Sequence, residues 1–169
     1  GTGSTIVLDS SVDAATTPVT LFQQERFDNA GGDDMGWEFA IDPGTEVEVR
    51  LYFAETFGGI TNNNPRIFDV AIEGSVPTVF DDINPLGFTG ALNTGFVLSN
   101  TLTVTDGVLD IDFLRDAQNP AIKGIEILET GTVNDPNAYI NTAQILTSDQ
   151  ADPDSTVGNG VLGEDDDAT

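Results

Sequence analysis

The residues best suited to chemistry form an acidic stretch near the end of the chain. Calcium takes six to eight oxygen ligands from carboxylates, amides and carbonyls, on loops turned by glycine and proline. Clustered carboxylates repel one another unless a cation neutralises them. The stretch therefore predicts a calcium site, with a solvated acidic segment as the alternative. The predicted ligands are Asp149, Asp152, Asp154, Asn159, Asp165 and Asp166.

The residue types that are missing limit catalysis. The chain has no histidine and no cysteine, which removes the usual general base, thiolate nucleophiles, disulfides and the common zinc ligands. Glycoside hydrolysis needs two carboxyl groups at a set separation. With 29 acidic residues, such pairs arise by chance and carry no weight. We expect a protein that is not an enzyme.

The charge of the chain restricts its partners. The formal net charge is -24, from 29 acidic and 5 basic residues. Such a surface repels nucleic acid and anionic lipid, and no apolar run reaches membrane-spanning length. We therefore expect neither nucleic-acid binding nor membrane insertion. Scarce lysine with abundant aspartate is compatible with an extracellular or a halophilic setting, and we expect an extracellular or cell-surface location.

The elements that must position any site are short strands. Apolar residues alternate with polar ones from Glu46 to Phe53, and again after Arg66 and before Leu128; this period of two is typical of half-buried strands. The Asp106-Gly107 pair between two such runs predicts a hairpin. Helical spacing is absent over any useful length. The pattern predicts an all-β, jelly-roll-like sandwich.

The two ends of the chain differ from the middle. Residues 1–20 predict an extended segment with one strand near residues 5–8. Residues 131–169 predict a linker, a single strand at 139–146 and the acidic loop. A lone strand cannot satisfy its own backbone groups. We expect it either to close the same sandwich or to complete a neighbouring one.

Four blocks of the middle region resemble the malectin-like family of carbohydrate-binding domains. The blocks are VRLYFAE at 49–55, RIFDVAIEG at 66–74, VTDGVLDIDF at 104–113 and NPAIKGIEIL at 119–128, with a weaker one at 21–27. The resemblance implies a non-catalytic sandwich over residues 21–130, with sugar bound among loops at one end. The sugar-binding residues that it implies by position are Phe57, Gln118 and Asn119. Because the chain has few aromatic residues of the stacking type, Trp37 is predicted as a second stacking platform beside Phe57. The alternative for both rings is a partly buried aromatic that caps the sandwich.

The end of the chain resembles the terminal part of an Ig-like repeat of bacterial surface proteins. The segments concerned are 141–145, 149–160 and 164–166. Two functions remain open. The first is an extracellular adhesive module that binds calcium and pairs strands with copies of itself or neighbouring β-domains, forming a filament if the contact repeats. The second is a module that binds glucose-type oligosaccharides.

Overall fold

A computed structural model describes residues 5–29, 31, 34–130, 143–144 and 167–168. The chain divides into two compact units, Gly1–Gly131 and Thr132–Thr169. In the first unit the strands are, in chain order, β1 (Val7–Leu8), β2 (Arg26–Phe27), β3 (Met35–Ala40), β4 (Glu46–Phe53), β5 (Ile67–Ile72), β6 (Thr94–Thr103), β7 (Val108–Ala117), β8 (Ala121–Ile122) and β9 (Gly124–Glu129). In the second unit Ala143–Gln144 pair with Asp167–Ala168 in antiparallel fashion.

Two sheets form the sandwich within the described residues. One has the strand order β1-β6-β4-β9, and the other has the order β3-β7-β5. The predicted alternation holds along β4, where Val47, Val49, Leu51 and Phe53 are fully buried and the residues between them face outward until Tyr52. A small antiparallel ribbon of β2 and β8 lies beside the sheets. The all-β sandwich prediction is confirmed.

Aromatic rings fill the space between the sheets. Phe53 contacts Phe68 and Phe96 at ring-centre distances of 5.8 and 5.5 Å, and Phe68 stacks on Phe113 at 6.0 Å. All four rings are fully buried. Each buried aromatic side chain contributes roughly 1.5–3 kcal/mol relative to exposure, so this cluster holds the two sheets together.

The predicted hairpin at Asp106-Gly107 is wrong. The turn exists, and Gly107 takes the left-handed φ of 98° that favours glycine. However, β6 before the turn pairs with β4, whereas β7 after it pairs with β3 and β5. The turn therefore carries the chain from one sheet to the other. Alternation predicted both strands but contains no information about their partners.

The N-terminal segment packs on the outer face of the first sheet. β1 runs parallel to β6, and Ile6, Val12 and Phe22 form a second apolar cluster with Tyr52. Gly95 of β6 makes room for this cluster, because a Cβ there would lie 2.7 Å from the Phe22 ring. The expected strand near residues 5–8 is thus present.

Helical structure is confined to short turns in the described residues. α1 (Pro85–Thr89) is a single turn, capped by Asn84, whose side chain accepts a hydrogen bond from the Gly87 N–H at 2.9 Å. None of the described helices is long and apolar enough to span a membrane. The strand predicted at 139–146 lies outside the described residues, apart from Ala143–Gln144. The predicted linker, which begins at residue 131, also lies outside them.

Candidate functional site

A cleft of 260 Å³ lies where three connecting segments of the first unit meet. One segment follows β4, one leads into β2, and one joins β7 to β8. We call this hollow the loop cleft. Its walls are formed by Glu25, Phe27, Phe57, Ile60, Arg66, Gln118 and Asn119.

Two exposed aromatic rings stand at the loop cleft. Phe57 is 60% exposed and Phe27 is 47% exposed, while Ile60 beneath them is buried. The Phe57 ring folds over Gly59, where any Cβ would lie 2.5 Å from the ring. The Ile60 N–H donates to the Phe57 carbonyl at 3.1 Å, which closes the turn. Exposed rings held in place in this way offer flat apolar faces to a ligand.

A buried ion pair joins the walls of the loop cleft. The Arg66 guanidinium contacts both carboxylate oxygens of Glu55, at 2.7 and 3.3 Å, and their side chains are 7% and 1% exposed. Arg66 also donates to the Asn119 carbonyl, and Glu55 accepts the Phe57 N–H at 2.9 Å. Buried charges persist only when paired and fully hydrogen-bonded. The pair therefore fixes the Phe57 turn relative to Asn119.

A second ion pair lies at the edge of the loop cleft. The Lys123 ammonium group donates to Glu25 at 2.8 Å and to the Thr56 hydroxyl at 2.9 Å. The Lys123 side chain is 1% exposed, whereas Glu25 is 25% exposed. The lysine charge is thus neutralised beneath the surface, and Glu25 presents the more accessible oxygen atoms.

The polar rim of the loop cleft comes from the turn between β7 and β8. Gln118 has a φ of 61°, a left-handed conformation that is uncommon outside glycine and costs energy. Its side-chain amide donates to the Asn64 side chain at 2.8 Å. Asn119 follows at the wall and is half-buried. These amides can both donate to and accept from hydroxyl groups.

The structure brings together three of the four predicted sugar-binding residues. Phe57, Gln118 and Asn119 all line the loop cleft. Trp37 lies elsewhere: it is half-buried on β3, and its ring meets Phe113 edge-on at 5.5 Å. Its position at the side of the sandwich follows from β3 being a sheet edge.

Sequence reasoning missed Glu25, Phe27, Ile60 and Arg66 as lining residues. Their partners are distant in sequence, since Glu25 and Lys123 are separated by 98 positions. The signal that could have found Arg66 is the rarity of basic residues, of which the chain has 5. A lone arginine just before an apolar strand needs a carboxylate partner if it is buried.

The predicted calcium ligands from Asp149 to Asp166 lie outside the described residues. A different group of carboxylates comes together on the second sheet. Oxygen atoms of Asp69, Asp82 and Asp116 lie within 4.8 Å of one another, and Asp69 accepts the Asp82 N–H at 2.7 Å. Partial desolvation, followed by the negative charge of Asp69 and Asp82, raises the pKa of Asp116. Such oxygens could share one cation, although the group is largely exposed.

One family model and one curated relative match most of the chain. The sequence model of the Malectin domain family matches residues 4–139. Receptor-like protein 4 of Arabidopsis thaliana is 30% identical over 121 residues, which cover 71% of this chain and 19% of that protein. The chain therefore spans about a fifth of that relative.

Solved structures share the fold. A chain from the crystal structure of the plant peptide RALF23 in complex with FER and LLG2 matches with a TM-score of 0.67 and 19% identity, over 77% of this chain and 37% of that one. A Bacteroides uniformis beta-glucuronidase matches with a TM-score of 0.59 and 23% identity, over 78% of this chain and 14% of the enzyme. At these identities the likeness establishes the fold alone.

Proposed function

The chain belongs to the Malectin domain family, and we propose that it is a non-catalytic module that binds a neutral, glucose-type oligosaccharide in the loop cleft. The observation that carries this proposal is the pair of exposed rings, Phe27 and Phe57, beside the amides of Gln118 and Asn119. A pyranose ring presents an apolar face and a rim of hydroxyl groups. The cleft offers the complementary arrangement of apolar rings and hydrogen-bonding amides.

The charges of the loop cleft favour a neutral ligand. Arg66 is engaged by Glu55 and the Asn119 carbonyl, and Lys123 is engaged by Glu25 and Thr56. Neither cation is free to pair with a carboxylate or sulfate group of a ligand. The net charge of -24 further disfavours an anionic glycan.

The same contacts argue for binding rather than catalysis. A glycosidase needs two carboxyl groups that reach opposite sides of the scissile bond. The Glu55 side chain is 1% exposed and is enclosed by Arg66 and the Phe57 N–H, so it does not reach a sugar. Glu25 is then the carboxylate that faces the cleft.

An extracellular location fits this function. A similar solved structure is that of the ANXUR1 extracellular domain from Arabidopsis thaliana, with a TM-score of 0.67 over 78% of this chain. We extend that location to this protein as part of the proposal. It agrees with the acidic, lysine-poor composition.

Calorimetry with neutral gluco-oligosaccharides tests the proposal. Phe57→Ala removes one of the two exposed rings and should therefore weaken binding by about tenfold or more. A tenfold loss corresponds to about 1.4 kcal/mol of binding free energy. Phe88→Ala is the matched control, because Phe88 is similarly exposed at 55% but lies on α1, outside the loop cleft. An oligosaccharide of uronic acids should bind more weakly than its neutral counterpart. Equal affinities of the wild type and Phe57→Ala would overturn the assignment.

Calcium binding and self-association remain a second proposal. They rest on the acidic composition of residues 131–169, which lie outside the described residues except for two short strands. Sedimentation velocity with millimolar calcium and with a chelator tests both properties together. A monomer of unchanged shape in the two conditions would contradict them.

A further inference from the structure

The sheet edges on the two sides of the sandwich differ in whether another segment of the described chain pairs with them. On one side, β1 covers the edge of β6, and bridges from Ile83 and Ser75 cover the edge of β5. On the other side lie β3 and β9. Among the described residues, no strand or bridge pairs with the outer edge of either.

The register of β9 identifies its free backbone groups. The Thr130 N–H donates to the Glu46 carbonyl at 2.9 Å, which places Thr130 opposite Glu46 in a hydrogen-bonded pair. Because bonding pairs alternate in an antiparallel ladder, Glu126 and Leu128 also bond to β4. The N–H and C=O groups of Ile125 and Ile127 therefore point away from β4.

A groove of 400 Å³ runs between these two open edges. Trp37 and Phe39 of β3 line one wall, and Ile125 of β9 lines the other. These side chains are half-buried and pack against the main core. Every second side chain of an added strand would enter this groove.

The β9 edge carries little of the usual protection against strand addition. Natural edges carry a proline, a lysine, a bulge or an inward-pointing charge. β9 contains neither proline nor lysine, and its pairing with β4 is regular from Gly124 to Glu129. Its one charge on the core-facing side, Glu129, stands exposed at the last residue of the strand. Its apolar residues Ile125 and Ile127 face the core.

The charges around the β9 edge favour one kind of partner. Glu129 is exposed at the end of β9, and Glu126 lies on the outer face of β9, where it shares Arg50 with Glu48. The groove itself is lined by Arg26 and by the Lys123–Glu25 ion pair, in which the lysine charge is already neutralised. A second copy would bring the same carboxylates and a net charge of -24 against this edge. A basic partner complements it.

We propose that β9 accepts an extended peptide with alternating basic and apolar side chains, which adds to the sheet as a further strand. The backbone ladder provides affinity and the groove receives the apolar side chains. The basic side chains then project from the outer face of the sheet, on the same side as Glu126. The groove adjoins the loop cleft, since Glu25 lines both, but the backbone ladder on β9 uses no residue of the loop cleft, so neither proposal depends on the other.

Amide hydrogen exchange on the full chain tests the proposal, with a synthetic peptide of alternating lysine and valine as the probe. Binding should slow exchange at Ile125 and Ile127 by about tenfold or more. Exchange at Glu126 and Leu128, already bonded to β4, should change little. A peptide of alternating glutamate and valine should have no effect.

Two variants separate the edge from general charge attraction. Ile127→Pro removes an outward N–H without breaking a bond to β4, and it should abolish the protection. Glu129→Lys alters only an exposed charge and should weaken peptide binding several-fold even if Ile127→Pro fails to fold. Slow exchange at Ile125 before peptide is added, equal binding of the acidic peptide, or protection produced by self-association instead would overturn the proposal.

Discussion

Replacing Glu55 by glutamine removes one charge of the buried pair and leaves Arg66 without compensation. The two side chains are 1% and 7% exposed, so water cannot take the place of the lost partner. Breaking a buried ion pair from one side costs about 3–5 kcal/mol. This is a large part of the roughly 5–15 kcal/mol that stabilises an ordinary domain.

Urea denaturation measures this loss. With a slope of about 2 kcal/mol per molar urea, Glu55→Gln should lower the unfolding midpoint by about 1.5–2.5 M. Trp37 is the single tryptophan and packs edge-on against Phe113 in the core, so its fluorescence reports unfolding. The control is Glu38→Gln, an exposed position on β3, where a change within about 0.5 kcal/mol is expected.

The double variant Glu55→Gln with Arg66→Met shows whether the lost stability comes from the unpaired arginine. It leaves no unpaired charge, so its cost should be well below the sum of the two single costs. Additive costs would mean that the two side chains do not interact. The reasoning would also be refuted if Glu55→Gln lowered the urea midpoint by less than about 0.5 M, because a buried unpaired arginine should cost more stability than that.

Two further predictions concern the first sheet. The hydrogen bond from Arg50 lowers the pKa of Glu48 from its ordinary value of 4.5. Its stabilising effect is therefore present above that value and is lost as the pH falls through the folded pKa. Glu48→Gln should lose less stability than the wild type as the pH falls below 4.5, and parallel curves of stability against pH would contradict this. Gly95→Ala should cost about 1–3 kcal/mol by overpacking against Phe22, whereas Gly58→Ala, with nothing within 4 Å, should change the melting temperature little.

Local patterns in the sequence predicted the strands well but could not predict how they pair. The faces of β4 follow from alternation, because the side-chain period belongs to a single strand. The partner of a strand depends on the rest of the chain. The residues around Asp106-Gly107 satisfy the local rules of a hairpin, yet Val104 donates to Thr45 and Ile41 donates to Gly107. These contacts open the turn into a link between sheets.

The loop cleft was predictable only where the family resemblance covered it. Phe57, Gln118 and Asn119 were predicted together and lie together. Trp37 was chosen as a rare aromatic residue, but its neighbour Phe113 is reached only through the pairing of β3 with β7. Residue type alone does not distinguish an aromatic that covers the core from one that faces a ligand.

The basic residues of this chain have a structural role that follows from their scarcity. Against 29 acidic side chains there are 5 basic ones, and among the described residues Arg50, Arg66, Arg115 and Lys123 are all in ion pairs. Three of these pairs join positions 76 to 98 residues apart. In a field of like charge, losing a cation leaves its carboxylate partner unpaired, whereas losing one of the many exposed carboxylates relieves repulsion. Substitutions of these four basic residues should therefore be tolerated less well than substitutions of the exposed carboxylates in the first unit.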